Sequence, residues 1–306
     1  MQNRIILLVL LVIPLFSFSQ DPDEDYTWWN ELHGWEEGDP GWRNWIKMSP
    51  AYLGPNALPV PPVKRGMISG SAEIELSASN HFHKGDPTQD ISGRLFFPFA
   101  KNKIAVELYG VMFEHYAFTE EIRNERFARD KDGSGTAHGD LYFSTLIQIL
   151  KNRRFPDTML RFATKTASGD NLAAARYSDT PGYFCDLSFS KKLSGNSSLL
   201  ILPFWGFGFY SWHTNDELRL QNDACMYSLG TDIEKGDWSF SSALSGYSGY
   251  KNEGDRPVQL NFRLLKNFGN QSVKVEYLHG LRDWNYKTAR VAFIWNLNNR
   301  EQTLVF

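Results

Sequence analysis

The sequence has little cysteine, no excess of basic charge and, beyond its amino terminus, no long apolar run. Two cysteines in 306 residues exclude a disulfide-stapled scaffold. With 32 basic against 35 acidic side chains and a net charge of -3, nothing drives bulk binding to nucleic acid. A helical membrane protein needs repeated apolar stretches of about 20 residues, and the mean hydropathy of -0.40 reflects their absence. Charged residues at 22% and aromatics at 15% also exclude a disordered chain.

What is present begins with an export signal. Arg4 precedes the apolar run Ile5 to Ile13, Pro14 ends it, and Ser17 and Ser19 are small residues at the -3 and -1 positions of a cleavage point. We expect residues 1–19 to be a signal peptide cleaved after Ser19, with Gln20 as the new amino terminus. The core is short for a membrane span. No cysteine follows it, so lipoprotein processing is not expected.

Residues 20–66 differ from the rest. Trp28, Trp29, Trp35, Trp42 and Trp45 are half of all ten tryptophans, and Pro50, Pro55, Pro59, Pro61 and Pro62 follow. Such proline density prevents a regular helix or central strand. Short helical turns fit at 27–33 and 42–48, and the tryptophans must bury against something. The segment reads as a plug within the following domain or as a periplasmic arm.

From Met67 the period is two. In Ile68 to His83, Ile68, Gly70, Ala72, Ile74, Leu76, Ala78 and Phe82 alternate with serines, glutamates and histidines. The pattern recurs eleven more times to Leu297, and the links alternate between short turns (near 100–102, 151–157, 194–196, 234–237 and 268–270) and longer polar loops. Short turns at one rim and long loops at the other are the signature of an outer-membrane barrel. The expected fold over 67–306 is therefore all-β: a twelve-stranded antiparallel up-and-down transmembrane β-barrel, preceded by the irregular Trp/Pro-rich segment.

Several details follow from this parity. Phe97, Phe99, Phe113, Trp205, Phe209, Trp238, Trp284 and Trp295 are expected in interface girdles. Residues 199–209 are apolar on both parities, and the glycine parity is expected inward, leaving Trp205, Phe207 and Phe209 on lipid. Cys185 and Cys225 fall on the lipid side of strands two apart, about 10 Å by strand spacing, so two free thiols buried in lipid are expected. Barrels of this kind often close on an aromatic residue; Phe306 is terminal but separated from the last strand pattern by polar residues.

The polar face supplies the candidate site. The lumen-lining candidates are Glu73, Glu75, Arg94, Glu107, Asp140, Arg161 and Lys165, continuing through Asp186, Asp232, Arg263, Lys274, Glu276 and Arg290. Opposed charges there either line a narrow polar pore or form a closed ion-pair network. His81, His83 and His115 could meet near one rim, though no carboxylate or cysteine cluster accompanies them. After a helix-like run from Glu120 to Arg129, Asp130, Asp132 and Ser134 place oxygens at the first positions of a calcium loop. Position twelve is Leu141, not glutamate, so a calcium site there competes with a plain polar turn. His213 opens a polar loop that loosely suggests an acyl hydrolase, without a matching serine.

The passage Asp140-Leu141, Leu160-Arg161, Lys165 to Asp170 and Tyr183 to Lys192 resembles the outer-membrane barrel family associated with phenol-degradation operons. Ala167 stands where that family has a proline, and the likeness spans residues 139–295. The Ser-Gln ending of the signal resembles exported proteins of Bacteroidota-type bacteria. The resemblance implies an outer-membrane, transport-type barrel for small, partly apolar compounds and supplies no catalytic residues.

The expected function is to pass or bind a small solute, porin-like, without chemistry and without a cofactor other than the calcium considered above. The expected partners are outer-membrane lipid and a small-molecule solute, not nucleic acid; the sequence names no protein partner. The alternatives are an outer-membrane lipid acyl hydrolase and a structural or assembly barrel with a closed lumen.

Overall fold

The computed structural model describes residues 25–151, 154–193, 199–216 and 218–297. The signal peptide expected at 1–19, and Phe306, lie outside the described residues. The chain divides into two compact units at Asp39 and Pro40. In the first, α1 (Thr27–His33) ends on Gly34 at φ 68, whose N–H donates to the Asn30 carbonyl, and the Trp29 and His33 rings lie 4.8 Å apart one turn along.

The second unit contains β1 (Glu73–Phe82), β2 (Thr88–Phe99), β3 (Ile104–Ala117), α2 (Glu120–Glu125), β4 (Ser134–Ala137), β5 (Leu141–Leu150) and β6 (Asp157–Lys165). It continues through β7 (Gly182–Ser190), β8 (Leu199–His213), β9 (Gln221–Lys235), β10 (Trp238–Gly249), β11 (Val258–Phe268), β12 (Gln271–Arg282) and β13 (Lys287–Asn296). Each wall strand pairs antiparallel with its sequence neighbours, β3 skipping β4 to reach β5, and β1 pairs with both β2 and β13. The ring is closed by twelve strands of 9 to 15 residues among the described residues. A tilted membrane-spanning strand needs about 9–11 residues.

The alternation decides which face is which. Phe143, Phe162, Phe207, Leu229, Val275 and Val291 point outward and are about half exposed or more. An apolar surface this continuous is stable against hydrocarbon and costly in water. Cys185 and Cys225 flank Phe209 in one cross-strand row and are unpaired. Trp205, Phe207 and Phe209 face outward as the glycine parity requires.

Three features differ from the sequence reading. The first strand starts at Glu73, not Ile68; Ile68 is buried with Phe96, Leu146 and Met159, because the chain arrives from inside the ring and must turn before joining its wall. Trp284 is not in a girdle: it is 3% exposed and donates from Nε1 to the Pro55 carbonyl at 3.1 Å. The loop after β3 carries α2 and the unanticipated β4, which pairs with Glu114–Ala117 and so prolongs the wall beyond the barrel rim.

Candidate functional site

Residues 43–68 run inside the ring from the long-loop rim to the short-turn rim. At the first, Arg43 pairs with Asp179 at 3.0 Å and Trp212 Nε1 donates to the Met48 carbonyl at 2.9 Å. Midway, the Tyr247 hydroxyl donates to the Leu58 carbonyl at 2.8 Å and Arg161 Nη1 to the Pro62 carbonyl at 2.9 Å. At the short-turn end Gln148 Nε2 donates to the Gly66 carbonyl at 2.7 Å, and its Oε1 accepts from the Ile68 N–H at 2.8 Å.

The composition of this segment suits that path. A buried backbone with no neighbouring strand must satisfy its N–H and C=O groups from turns, loops and side chains; here the Ala51 and Gly54 N–H groups donate to the Gly254 and Ala175 carbonyls. Proline has no N–H, so Pro55, Pro59, Pro61 and Pro62 have no donor to satisfy, and wall side chains serve the Pro55 and Pro62 carbonyls. Two glycines are fixed by space. A Cβ on Gly54 would lie 2.8 Å from the Arg176 guanidinium, and one on Gly66, at φ +68, would meet the Asp157 carbonyl at 2.5 Å.

The segment lies against one side of the lumen. Leu53, Ala57 and Leu58 pack on Tyr142, Phe184, Tyr210, Trp212 and Tyr247, all inward-facing. Burying these rings accounts for a strand that is apolar on both parities: β8 faces lipid with one set and the threaded segment with the other. Sequence reasoning assumed a polar lumen and missed this half of it.

On the opposite side a cavity of about 460 Å³ remains between the segment and the wall of β10–β13 and β1–β3. It extends from Ser272 and Asn296 near the short turns to Trp284 and Asn56 near the long loops. All thirteen charged residues selected from the sequence take part in ion pairs. Arg161 with Asp186 at 2.6 Å and Lys165 with Asp140 at 2.7 Å are closed pairs. Another network joins Arg94 to Glu73 at 3.0 Å, Glu107 at 2.9 Å and Glu75 at 3.7 Å, then Glu75 to Lys274 at 2.7 Å. Lys274 reaches Glu276 at 3.4 Å, and Arg290 lies 3.8 Å from the same carboxylate. Asp232 holds Arg263 at 3.2 Å. Two cations come from the threaded segment: Lys64 on Glu107 at 2.6 Å and Arg65 on Asp232 at 2.6 Å. Strand parity selects most of the residues in these networks but not Lys64 and Arg65, because nothing in the spacing of residues 20–66 fixes which carboxylates they meet.

A second cluster, not anticipated, closes the long-loop end. Arg176 binds Asp86 at 2.9 Å and Glu114 at 2.8 Å, and Arg126 binds Asp86 at 2.7 Å. The Tyr286 hydroxyl also donates to Asp86, and Asn56 Nδ2 donates to Glu114 at 2.7 Å. Burial pushes the Asp86 carboxyl up, but Arg176, Arg126 and Tyr286 outweigh it and hold it below the usual carboxylate range.

His81 and His83 both lie against the Tyr286 ring, His81 edge-on at 6.2 Å. His81 is buried between Thr288 Oγ1 at 2.7 Å and Asp90 Oδ2 at 2.6 Å; the His83 ring lies 4.9 Å from that of Tyr286; and His115 is exposed, on the face opposite Glu114. Thr288, His81 and Asp90 have the order of a hydroxyl–imidazole–carboxylate relay. Thr288 is 0% exposed, while His81 lines the cavity. His213 is exposed at the end of β8 and its backbone N–H donates to the Pro181 carbonyl.

At the loop considered for calcium, Asp130 Oδ1 accepts from the Asp132 and Gly133 N–H groups and Oδ2 from the Tyr116 hydroxyl. Ser134 opens β4. The groups gathered on Asp130 are hydrogen donors, the pattern of a polar turn. Among the described residues no group of three His, Cys, Asp or Glu side chains is placed to hold a metal ion.

No protein-family model and no curated protein matches the sequence. Solved structures share the fold. An outer-membrane channel from Pseudomonas putida F1 has a TM-score of 0.53 at 12% identity, covering 77% of this chain and 99% of that one. KdgM porin gives 0.45 at 10% identity, with 73% and 99% covered. The β domain of the Bordetella autotransporter BrkA gives 0.43 at 11% identity, with 74% and 98% covered. At these identities the likeness is one of fold, that of an outer-membrane β-barrel.

Proposed function

We propose that the chain is exported through a signal peptide cleaved after Ser19 and inserts into an outer membrane. There it passes a small solute, without chemistry, through a lumen narrowed by its own residues 40–66. The observation that carries this reading is the cavity of about 460 Å³, which follows the β11–β13 and β1–β3 wall between the levels of the two rims. That volume is in the range of small-molecule sites. Its lining mixes ion pairs with Pro59, Phe96, Leu278 and Ile294, which suits a small, partly apolar solute. Residues 139–295 support kinship with the barrel family of phenol-degradation operons on the Lys165 to Asp170 passage, and the Ser-Gln signal ending supports a Bacteroidota-type source.

The test is a planar-bilayer recording with a liposome-swelling assay on the purified full-length protein. The expected result is a small, steady conductance with swelling in small solutes and none in oligosaccharides. Silence in both overturns the reading.

A second reading, a structural barrel with a closed lumen, is favoured by one specific observation: the threaded segment is held along its whole length, from Arg43–Asp179 to Gln148–Gly66. Replacing residues 43–60 by a Gly/Ser linker of equal length separates the two. A barrel silent when intact and conducting after replacement is a closed one.

A further inference from the structure

We infer that the cavity binds a small organic monoanion, a carboxylate on an apolar or aromatic body, with Arg263 and Arg290 as its anchors. This deepens the proposed function and rests on the cavity being the solute site.

The first argument is register. Asp232 of β9 lies opposite Ser241 of β10, which lies opposite Arg263 of β11, then Glu276 of β12 and Arg290 of β13. The row continues to Ser79 of β1 and Asp90 of β2. In a barrel of tilted strands a cross-strand row climbs as it goes round. Asp232 lies near the short-turn end of β9 and Asp90 near the long-loop end of β2, so the row ascends the cavity wall from one rim towards the other.

The second argument is charge. Lys64, Arg94, Lys274 and Arg290 are matched one for one by Glu73, Glu75, Glu107 and Glu276. Arg65 and Arg263 share the single carboxylate Asp232, so this end of the row carries one positive charge more than it has carboxylates. Desolvated, unneutralised charge is costly, and a bound anion relieves it.

The third argument places the deficit. Glu73, Glu75 and Glu107 each have a cation within 3.0 Å. Arg263, by contrast, shares Asp232 with Arg65, which sits closer, and among the described residues its buried Nε has no acceptor. Arg290 spends Nε on the Ser79 hydroxyl and stands 3.8 Å from Glu276. Unspent donor capacity thus sits on two guanidiniums flanking one carboxylate, a geometry suited to an incoming carboxylate. Leu265, Leu278, Ile294 and Phe96, which line the same space, would take the apolar body.

The experiment is calorimetric titration of the full-length protein in detergent micelles with benzoate, benzyl alcohol and benzylamine, which share one ring and differ in charge. Benzoate is expected to bind about tenfold or more tightly than the other two. Arg263→Gln and, independently, Arg290→Gln should each weaken benzoate about tenfold or more, while Glu276→Gln should tighten it. Retained heat-modifiable gel mobility verifies that each variant is folded. Equal affinity for the three compounds, no binding of any, or unchanged benzoate affinity in both arginine variants overturns the inference. Binding in micelles does not require passage, so a silent bilayer with benzoate bound refutes conduction and leaves the anion site standing.

Discussion

Arg176 Nε lies 2.8 Å from Glu114 Oε1 across the long-loop mouth, and neither side chain is exposed. One residue comes from the loop after β6, the other from β3, and Gly54 of the threaded segment lies against the same guanidinium. This pair therefore ties together wall, loop and segment.

Removing one member of a fully buried pair leaves the other charge without compensation, which costs about 3–5 kcal/mol. Glu114→Gln is expected to lower unfolding stability by that order, read as a reduced urea midpoint in liposomes. Arg176→Met combined with Glu114→Gln, which leaves Arg126 paired with Asp86, should recover part of the loss. A single variant as stable as the parent would show that the mouth cluster bears no load.

Acid should loosen the same end. The native pKa of Asp86 lies below its unfolded value of about 3.9, so its contribution is complete above that pH and is lost as pH falls through the native value. Protease accessibility of the 83–87 loop is expected to rise in mild acid below about pH 4, and Asp86→Asn should expose it already at neutral pH with a flatter profile. Identical profiles in the two proteins would contradict this.

The aromatic side of the lumen should respond to cavity creation. Leu58 is 1% exposed in a cluster with Tyr210, Trp212 and Tyr247. Leu58→Ala is expected to cost about 2–5 kcal/mol, with greater conductance noise in bilayer recordings as the segment loosens. Tyr247→Phe, which removes only the hydrogen bond to the Leu58 carbonyl, should cost about 1 kcal/mol.

Gly66→Ala tests the lower anchor. The residue needs a positive φ, and the added methyl meets the Asp157 carbonyl. The barrel should still form, since β1 begins only at Glu73, but the hydrogen bonds to Gln148 should weaken. Slower migration of the unboiled protein than of wild type, with an open-channel current, is the expected pair of readings.

Much of the wall was legible because a strand's period of two is a local property. Ile74 and Glu75 declare their faces without reference to anything distant, and the row Cys185–Phe209–Cys225 follows from counting along neighbouring strands. The thirteen charged candidates were selected in the same way, and each takes part in an ion pair. What parity could not supply is the identity of a partner that arrives from outside the repeat. Lys64 on Glu107, Asn56 on Glu114 and Trp284 on Pro55 are long-range meetings with a segment that has no period. Ile68 was assigned to the wrong face because it continues a strand's alternation into a stretch where the backbone has not yet joined the sheet, and Trp284 was placed in a girdle as a strand-terminal aromatic although it lies in the loop between β12 and β13.

The path of residues 43–68 also constrains how the molecule is born. A polypeptide encircled by its own strands has to be in place before the last seam is sewn, or be drawn through an opening barely wider than itself. The join between β1 and β13 is the natural last seam, since it unites the two ends of the wall. Newly exported chains are therefore expected to wrap sheet around a pre-laid core, and the ion pairs of Lys64 and Arg65 would act as a template for curvature during biogenesis.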